Sequence, residues 1–254
     1  MPCVKEPARD VSPRRPHRAK ALSPKGQSSR SRGRLGEAFL PNRPSPRPVS
    51  LGVVLLAAGR SSRMGKPKLL LPWGRTSVLG HLIKQWKAVG AKQVAVVCAP
   101  DDAAIRLELD RLGFPARDRI INPAPQRGMF SSIQCAAQWL GWDPALTHWA
   151  IVLGDQPHLQ RQTLRLALDF SAAHPDKVCQ PARQGHGRHP VLLPKAMFRQ
   201  VAVSTAATLK EFLAARPRKP SLCEVDDPGL DLDIDRPEDY DKAVDMAAKR
   251  RAER

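Results

Sequence analysis

The sequence predicts an α/β protein: a three-layer α/β/α sandwich around a mostly parallel sheet, preceded by a disordered basic tail. Three observations carry that prediction. Short, wholly apolar runs such as LGVVLLA, QVAVVC and WAIVL recur after residue 50, as in strands buried on both faces. Stretches of helical periodicity separate them, and strand–helix alternation builds a parallel sheet covered on both sides. Residues 1–49 show neither pattern.

The tail comes first in the chain. Residues 1–50 carry 12 Lys and Arg against 3 Asp and Glu, so half of the chain's net charge of +18 falls in a fifth of its length. The segment is rich in Pro, Ser and Arg and too poor in apolar residues to offset the entropy of ordering. It lacks the apolar centre of a signal peptide, and its Arg-rich, acid-poor composition is only faintly that of a transit peptide. A solvated extension, or a translation start nearer Val49, accounts for it as well. No aromatic residues alternate with its cations, so a nucleic-acid partner is not expected. The domains are therefore drawn as 1–49 and 50–254.

In the second part, Leu51–Ala57 reads as a buried strand. Ser77–Val89 reads as a helix, with Val78, Leu79, Leu82, Ile83, Trp86 and Val89 on one face. Gln93–Cys98 is a strand, followed by a helix capped by Asp101 or Asp102 and running through Leu112. Arg119–Ile121 is a brief strand, 131–140 helical, and Trp149–Leu153 a strand ending in Gly154-Asp155-Gln156-Pro157. Residues 160–173 are helical, 178–181 and 190–193 extended, 208–215 helical and 230–234 extended. A helix over 237–249 closes the chain, with proline in its first turn. Five scattered cysteines (Cys3, Cys98, Cys135, Cys179, Cys223) form no CxxC pair. A reducing cytoplasm fits them, and neither a zinc site nor a disulfide framework does. No apolar run approaches the ~20 residues of a membrane span.

Right-handed crossovers put the carboxyl ends of parallel strands along one edge, where ligands bind. The loop Ala58–Lys68 and Asp155 both follow strands and so meet there. The loop, AGRSSRMGKPK, combines Gly59, Gly65, Ser61 and Ser62 with Arg60, Arg63, Lys66 and Lys68. Glycine and serine let backbone N–H groups turn inward around an anion, so a phosphate chain is the expected guest. It is not a Walker A loop: five residues separate Gly59 from Gly65, and Pro67 stands where Ser or Thr would hold magnesium. Nor does G-x-G-x-x-G follow the first strand.

The run L-A-A-G-x-S-x-R-M-G-x-P-K resembles the signature of the nucleotidyltransferases of the molybdenum cofactor type. Leu56, Ala57, Ala58, Gly59, Ser61, Arg63, Met64, Gly65, Pro67 and Lys68 match it. The resemblance covers roughly residues 51–250 and implies their Rossmann-like fold, shared with nucleotide-diphospho-sugar transferases. It implies that Arg63, Lys68 and Asp155 are catalytic. It also implies that Ala57, Ala58, Gly59, Arg60, Ser61, Ser62, Arg63, Lys68, Asn122, Gly128 and Ser131 border the nucleotide. Asp155 of GDQP and Asp235 of DIDRPED resemble the family's Mg²⁺ ligands. Asp233 is the nearest competitor of Asp235, and both Asp155 and Asp235 also suit helix caps. His189, in RHPV, lies in the acceptor-side motif, where Arg188 replaces the family's glycine. A Gly-Asp-x-Gly-Ala-Arg stretch usual in the cytidylyl branch is missing, which opens the acceptor's identity.

The implied reaction is attack of an acceptor phosphate on the α-phosphorus of a nucleoside triphosphate. CTP with molybdopterin ranks first, because LAAG resembles the cytidylyl branch. GTP is second and a sugar 1-phosphate acceptor third, and a recipient molybdoenzyme is a further partner. Two other classes compete: a non-catalytic cofactor chaperone, and a nucleic-acid binder driven by the tail.

Overall fold

The computed structural model describes residues 49–59 and 64–252. The expected tail, save Val49 at its end, and the loop residues Arg60, Ser61, Ser62 and Arg63 lie outside the described residues.

Strand β1 (Leu51–Leu56) is wholly apolar and sits mid-sheet. A short hairpin, β2 (Pro72–Trp73) and β3 (Thr76–Ser77), leads into helix α1 (Val78–Ala88). Ser77 caps that helix by accepting from the Gly80 N–H at 3.0 Å. Then come β4 (Gln93–Cys98), α2 (Ala103–Arg111), β5 (Arg119–Ile121) and α3 (Met129–Gln138). Asp102, not Asp101, caps α2, accepting from the Ile105 N–H at 3.0 Å. The second half runs through β6 (His148–Leu153), α4 (Arg161–Ala173), β7 (Cys179–Arg183), β8 (His186–Gly187) and β9 (Val191–Pro194). It ends with α5 (Lys195–Ala202), α6 (Leu209–Ala214), β10 (Ser221–Glu224) and α7 (Pro237–Ala252).

The sheet order is β10–β7–β9–β6–β1–β4–β5, with β8 added to β7. β1 pairs in parallel with both β4 and β6, and β5 continues in parallel beyond β4. Only β9 on this path runs against its neighbours. Strand periodicity sorts the core into two layers. Val53, Leu55, Val94, Val96, Ala150 and Val152 pack toward α1, α2, α4 and α7. Val54, Ala95, Val97, Trp149 and Ile151 pack toward α3, α5 and α6. This is the expected α/β/α sandwich.

The chain leaves β1 in one direction, to β4 and β5, and returns to β6 on the other side of β1. The reversal opens a crevice at the carboxyl ends of β1 and β6, the usual place for a ligand in an open α/β sheet.

One predicted element is corrected. Residues 230–234 were expected to be extended, but Pro228–Asp231 forms a 3-10 turn. Asp227 accepts from the Gly229 N–H at 2.9 Å, and this aspartate–proline turn overrides the apolar alternation of Leu230, Leu232 and Ile234. Five elements were missing from the sequence reading: the two-residue strands β2, β3 and β8, the strand β10 and the helix α5. β10 is an edge strand of partly exposed residues with no apolar run, and α5 buries only Phe198 and Val201.

Candidate active site

A cavity of about 380 Å³ fills the crevice. Its floor is the ends of β1 and β6, with Leu56, Ala58 and Gly59 from one and Leu153, Gly154 and Asp155 from the other. Lys68 and Leu69 close one side, and Pro125, Gln126, Gly128, Met129 and Ser132 the other. A second hollow of about 700 Å³ shares Ala58, Gly59, Pro125 and Gln126 and continues past Lys66 toward Asp101. Together they offer an elongated groove across the sheet edge.

Gly154 is required where the two strands meet: a Cβ there would lie 2.7 Å from Leu69 Cδ2 and 3.0 Å from the Leu56 carbonyl oxygen. Gly128 has φ 92° and ψ 177°, a backbone region open essentially to glycine alone. It breaks the chain direction between the 3-10 turn Pro125–Arg127 and α3, and so sets the wall made by Met129 and Ser132.

Lys68 is the electrostatic centre. Its ammonium lies 2.8 Å from Asp155 Oδ2 and 3.5 Å from Asp235 Oδ1, and it donates to the Ile234 carbonyl at 3.2 Å. The Ile234 N–H in turn donates to the Asp155 carbonyl at 3.1 Å, which brings the Asp233–Asp235 segment to the end of β6. Asp155 Oδ1 is buried and has no hydrogen-bond partner among the described residues. Asp233 lies beside the pair and accepts from Gln156 Nε2 at 2.8 Å. Burial, then the field of Asp155 and more weakly that of Asp235, push its carboxyl above the usual range.

The structure thus brings Ala58, Gly59, Lys68, Gly128 and Asp155 to one cavity, and Asp235 to Lys68. Asn122 and Ser131 have a different role. Asn122 is 1% exposed; its amide donates to Ser131 Oγ and Ser132 Oγ at 2.9 Å each, and its oxygen accepts from the Ala124 N–H. Ser131 Oγ donates to the Gly128 carbonyl at 2.7 Å. Both side chains brace the loop from behind. Ala57 is likewise buried, with its N–H donated to the Val97 carbonyl. The cavity-lining Pro125, Gln126 and Met129 were not singled out; their only sequence signal was nearness to Gly128.

Of the residues expected on the acceptor side, His189 has its Nδ1 3.2 Å from the Ile151 carbonyl. Burial lowers its pKa, against the pull of the Asp155 and Asp233 carboxylates. Arg188 lies outside the cavity lining and bonds Asp231 through its Nε and a terminal nitrogen, at 3.0 and 2.6 Å.

Comparison with known proteins agrees with the fold. A bifunctional protein GlmU of Pseudomonas fluorescens strain Pf-5 is 32% identical over 124 residues, 47% of this chain and 25% of that protein. The chain spans about a quarter of the length of the first curated relatives it matches. The molybdenum cofactor cytidylyltransferase of Escherichia coli K12 is 26% identical over 195 residues, 75% of this chain and 94% of that one. The crystal structure of Rv0371c from Mycobacterium tuberculosis H37Rv superposes with a TM-score of 0.63 at 25% identity, covering 78% of this chain and 99% of that one. The model of the MobA-like NTP transferase domain matches residues 53–220. The chain belongs to the MobA-like NTP transferase family.

Proposed function

We propose that the protein is a nucleotidyltransferase that moves a nucleoside monophosphate, first of all CMP from CTP, onto a phosphorylated acceptor of the molybdopterin type, releasing pyrophosphate. The observation that carries this reading is the Lys68 ammonium held between Asp155 and Asp235 at the crevice between β1 and β6. Family membership and the likeness to the cytidylyltransferase support it. GTP is the second candidate nucleotide.

The residues present fit a magnesium ion. No group of three or more His, Cys, Asp or Glu arranged around a metal occurs among the described residues. Magnesium needs only one or two protein carboxylates and completes its shell with phosphate oxygens and water. Asp155, with its unpartnered buried Oδ1, and Asp235 are the pair that would hold it. When bound, it would offset negative charge on the phosphates.

The protein's own groups do the rest by positioning and charge. The backbone at Ala58 and Gly59 faces the cavity, where N–H groups suit phosphate oxygens. Lys68, poised on its carboxylates, is placed to turn to the leaving pyrophosphate. Arg63 belongs to the same phosphate grip in this reading. A phosphate monoester has a second pKa of about 6 and is already ionised near neutrality, so the attack needs no strong base. In-line placement of the two phosphates is the main catalytic requirement.

The test is pyrophosphate release by the full chain from CTP, GTP, UTP and ATP in turn, with Mg²⁺ and molybdopterin. Release with CTP above the others is expected. Release with GTP above CTP would overturn the base assignment. No release from a protein that binds the pterin would overturn catalysis in favour of a cofactor carrier.

A further inference from the structure

The hairpin of β7 and β8 turns through Gln184 and Gly185, both at positive φ, and carries Arg183 beside the turn and Arg188 just past β8. Both guanidiniums converge on one carboxylate. Arg183 donates to Asp231 Oδ2 at 2.6 Å, and Arg188 donates to Asp231 Oδ1 at 2.6 and 3.0 Å. The neighbouring acids do not complete the set. Asp226 Oδ1 is 3.9 Å from Arg183 Nε, beyond hydrogen-bond range, and its side chain is 97% exposed. Glu224 is engaged by the Gly185 N–H at 2.9 Å. Arg183 Nε is buried with no hydrogen-bond partner among the described residues. An ion triad this exposed adds little to stability, so the fold itself gives scant reason for two arginines on one aspartate.

Its place gives one. Arg188 precedes His189, whose ring reaches the Ile151 carbonyl and feels the Asp155 and Asp233 carboxylates. Asp231 lies four residues before Asp235, which pairs with Lys68. Four residues span at most about 14 Å. The paired guanidiniums, outside the cavity lining, are thus tied through the chain to the Lys68–Asp155–Asp235 cluster, with forked donors suited to an oxyanion.

We propose that Arg183 and Arg188 form a second anion subsite, which takes a negatively charged group at the end of the acceptor remote from its reacting phosphate, with Asp231 holding the arginines until that group displaces it. The assignment of the ligand as acceptor rests on the transfer reading. It adds a substrate requirement: a second anionic group besides the reacting phosphate.

The test follows the arginine Nε–H NMR resonances of Arg183 and Arg188 in the full chain titrated with inorganic phosphate, with chloride as control. Saturable shifts of both are expected with phosphate alone. Arg188→Gln should weaken the binding about tenfold. Asp231→Asn, which removes the competitor, should tighten it about threefold; a purely structural triad predicts no such gain. Resonances that stay fixed in the wild type and in Asp231→Asn would overturn the subsite. CTP binding, followed by calorimetry on the same samples, separates the two readings. CTP bound with silent arginines removes the subsite and leaves nucleotidyl transfer. Responding arginines without CTP binding leave an anion site and remove the transfer reading.

Discussion

Lys68 holds together two carboxylates that would otherwise face each other at the mouth of a half-buried crevice. Lys68→Ala removes the cation that the proposed reaction turns to the phosphates, and turnover should fall about a hundredfold or more in a saturating assay, the usual scale for losing one preorganised charge donor. Near-wild-type turnover would remove Lys68 from the reaction. Asp155→Asn keeps the shape but loses the anionic oxygen, so activity should no longer rise with magnesium. An unchanged magnesium titration would take Asp155 out of the proposed metal site. Residues whose chemistry and position were both local were legible in the sequence: a lysine in a glycine-rich loop, and an aspartate at a strand end. Asn122 was less legible. An asparagine after a strand suits a ligand contact or a loop brace equally well, and only its burial against Ser131 and Ser132 distinguishes the two.

At the scale of elements, two positions govern how the site is held. Gly128→Ala forces a side chain into a backbone region that excludes it, at a cost of about 1–3 kcal/mol. Because the change moves the Met129–Ser132 wall, nucleotide KM should rise as well; thermal unfolding and a KM measurement check the two effects together. Asp227 ties three elements to one carboxylate. It accepts from the Gln160 N–H and Thr163 Oγ1 of α4, from the Gly229 N–H of the 3-10 turn, and from Arg250 of α7. Burial alone would raise its pKa, but the bonds from Thr163, Gln160 and Gly229, with the Arg250 charge, outweigh it and hold the carboxyl low. Its stabilisation is full above the unfolded value of about 3.9 and disappears as pH falls through the lower folded value. Asp227→Asn should therefore cost at least about 2 kcal/mol at pH 7 in urea denaturation. That difference should hold to pH 5 and shrink below pH 4; a constant difference at every pH would contradict it. The alternating strands and amphipathic helices were read from periodicity. The turn at Pro228–Asp231 was not, because it depends on a side-chain bond from Asp227 that a hydrophobic pattern does not record.

For the molecule as a whole, buried neutral histidines set the response to mild acid. His148 and His158 are 4% and 2% exposed, and burial lowers both pKa values despite carbonyl partners at Pro175 and Gly229. Below the unfolded value of about 6.5 the unfolded chain binds protons that the folded chain refuses, so stability should fall as pH drops from 6.5 toward 5. His158→Gln should flatten that slope, and an unaltered slope would assign it elsewhere. The sandwich and its parallel core followed from sequence because buried strands are apolar throughout; the edge β10 and the reversed β9 depend on pairings between distant segments. The β1–β6 pairing and the Ile234–Asp155 backbone bond bring Lys68, Asp155 and Asp235 from three parts of the chain to one crevice, and that convergence is the central claim. A crystal structure of the full chain with a non-hydrolysable CTP analogue and Mg²⁺ tests it most directly. The account predicts the triphosphate against Ala58 and Gly59, with Lys68 moved from Asp155 onto a phosphate and the metal on Asp155. A nucleotide bound outside this crevice, with the Lys68–Asp155 pair intact, would contradict it.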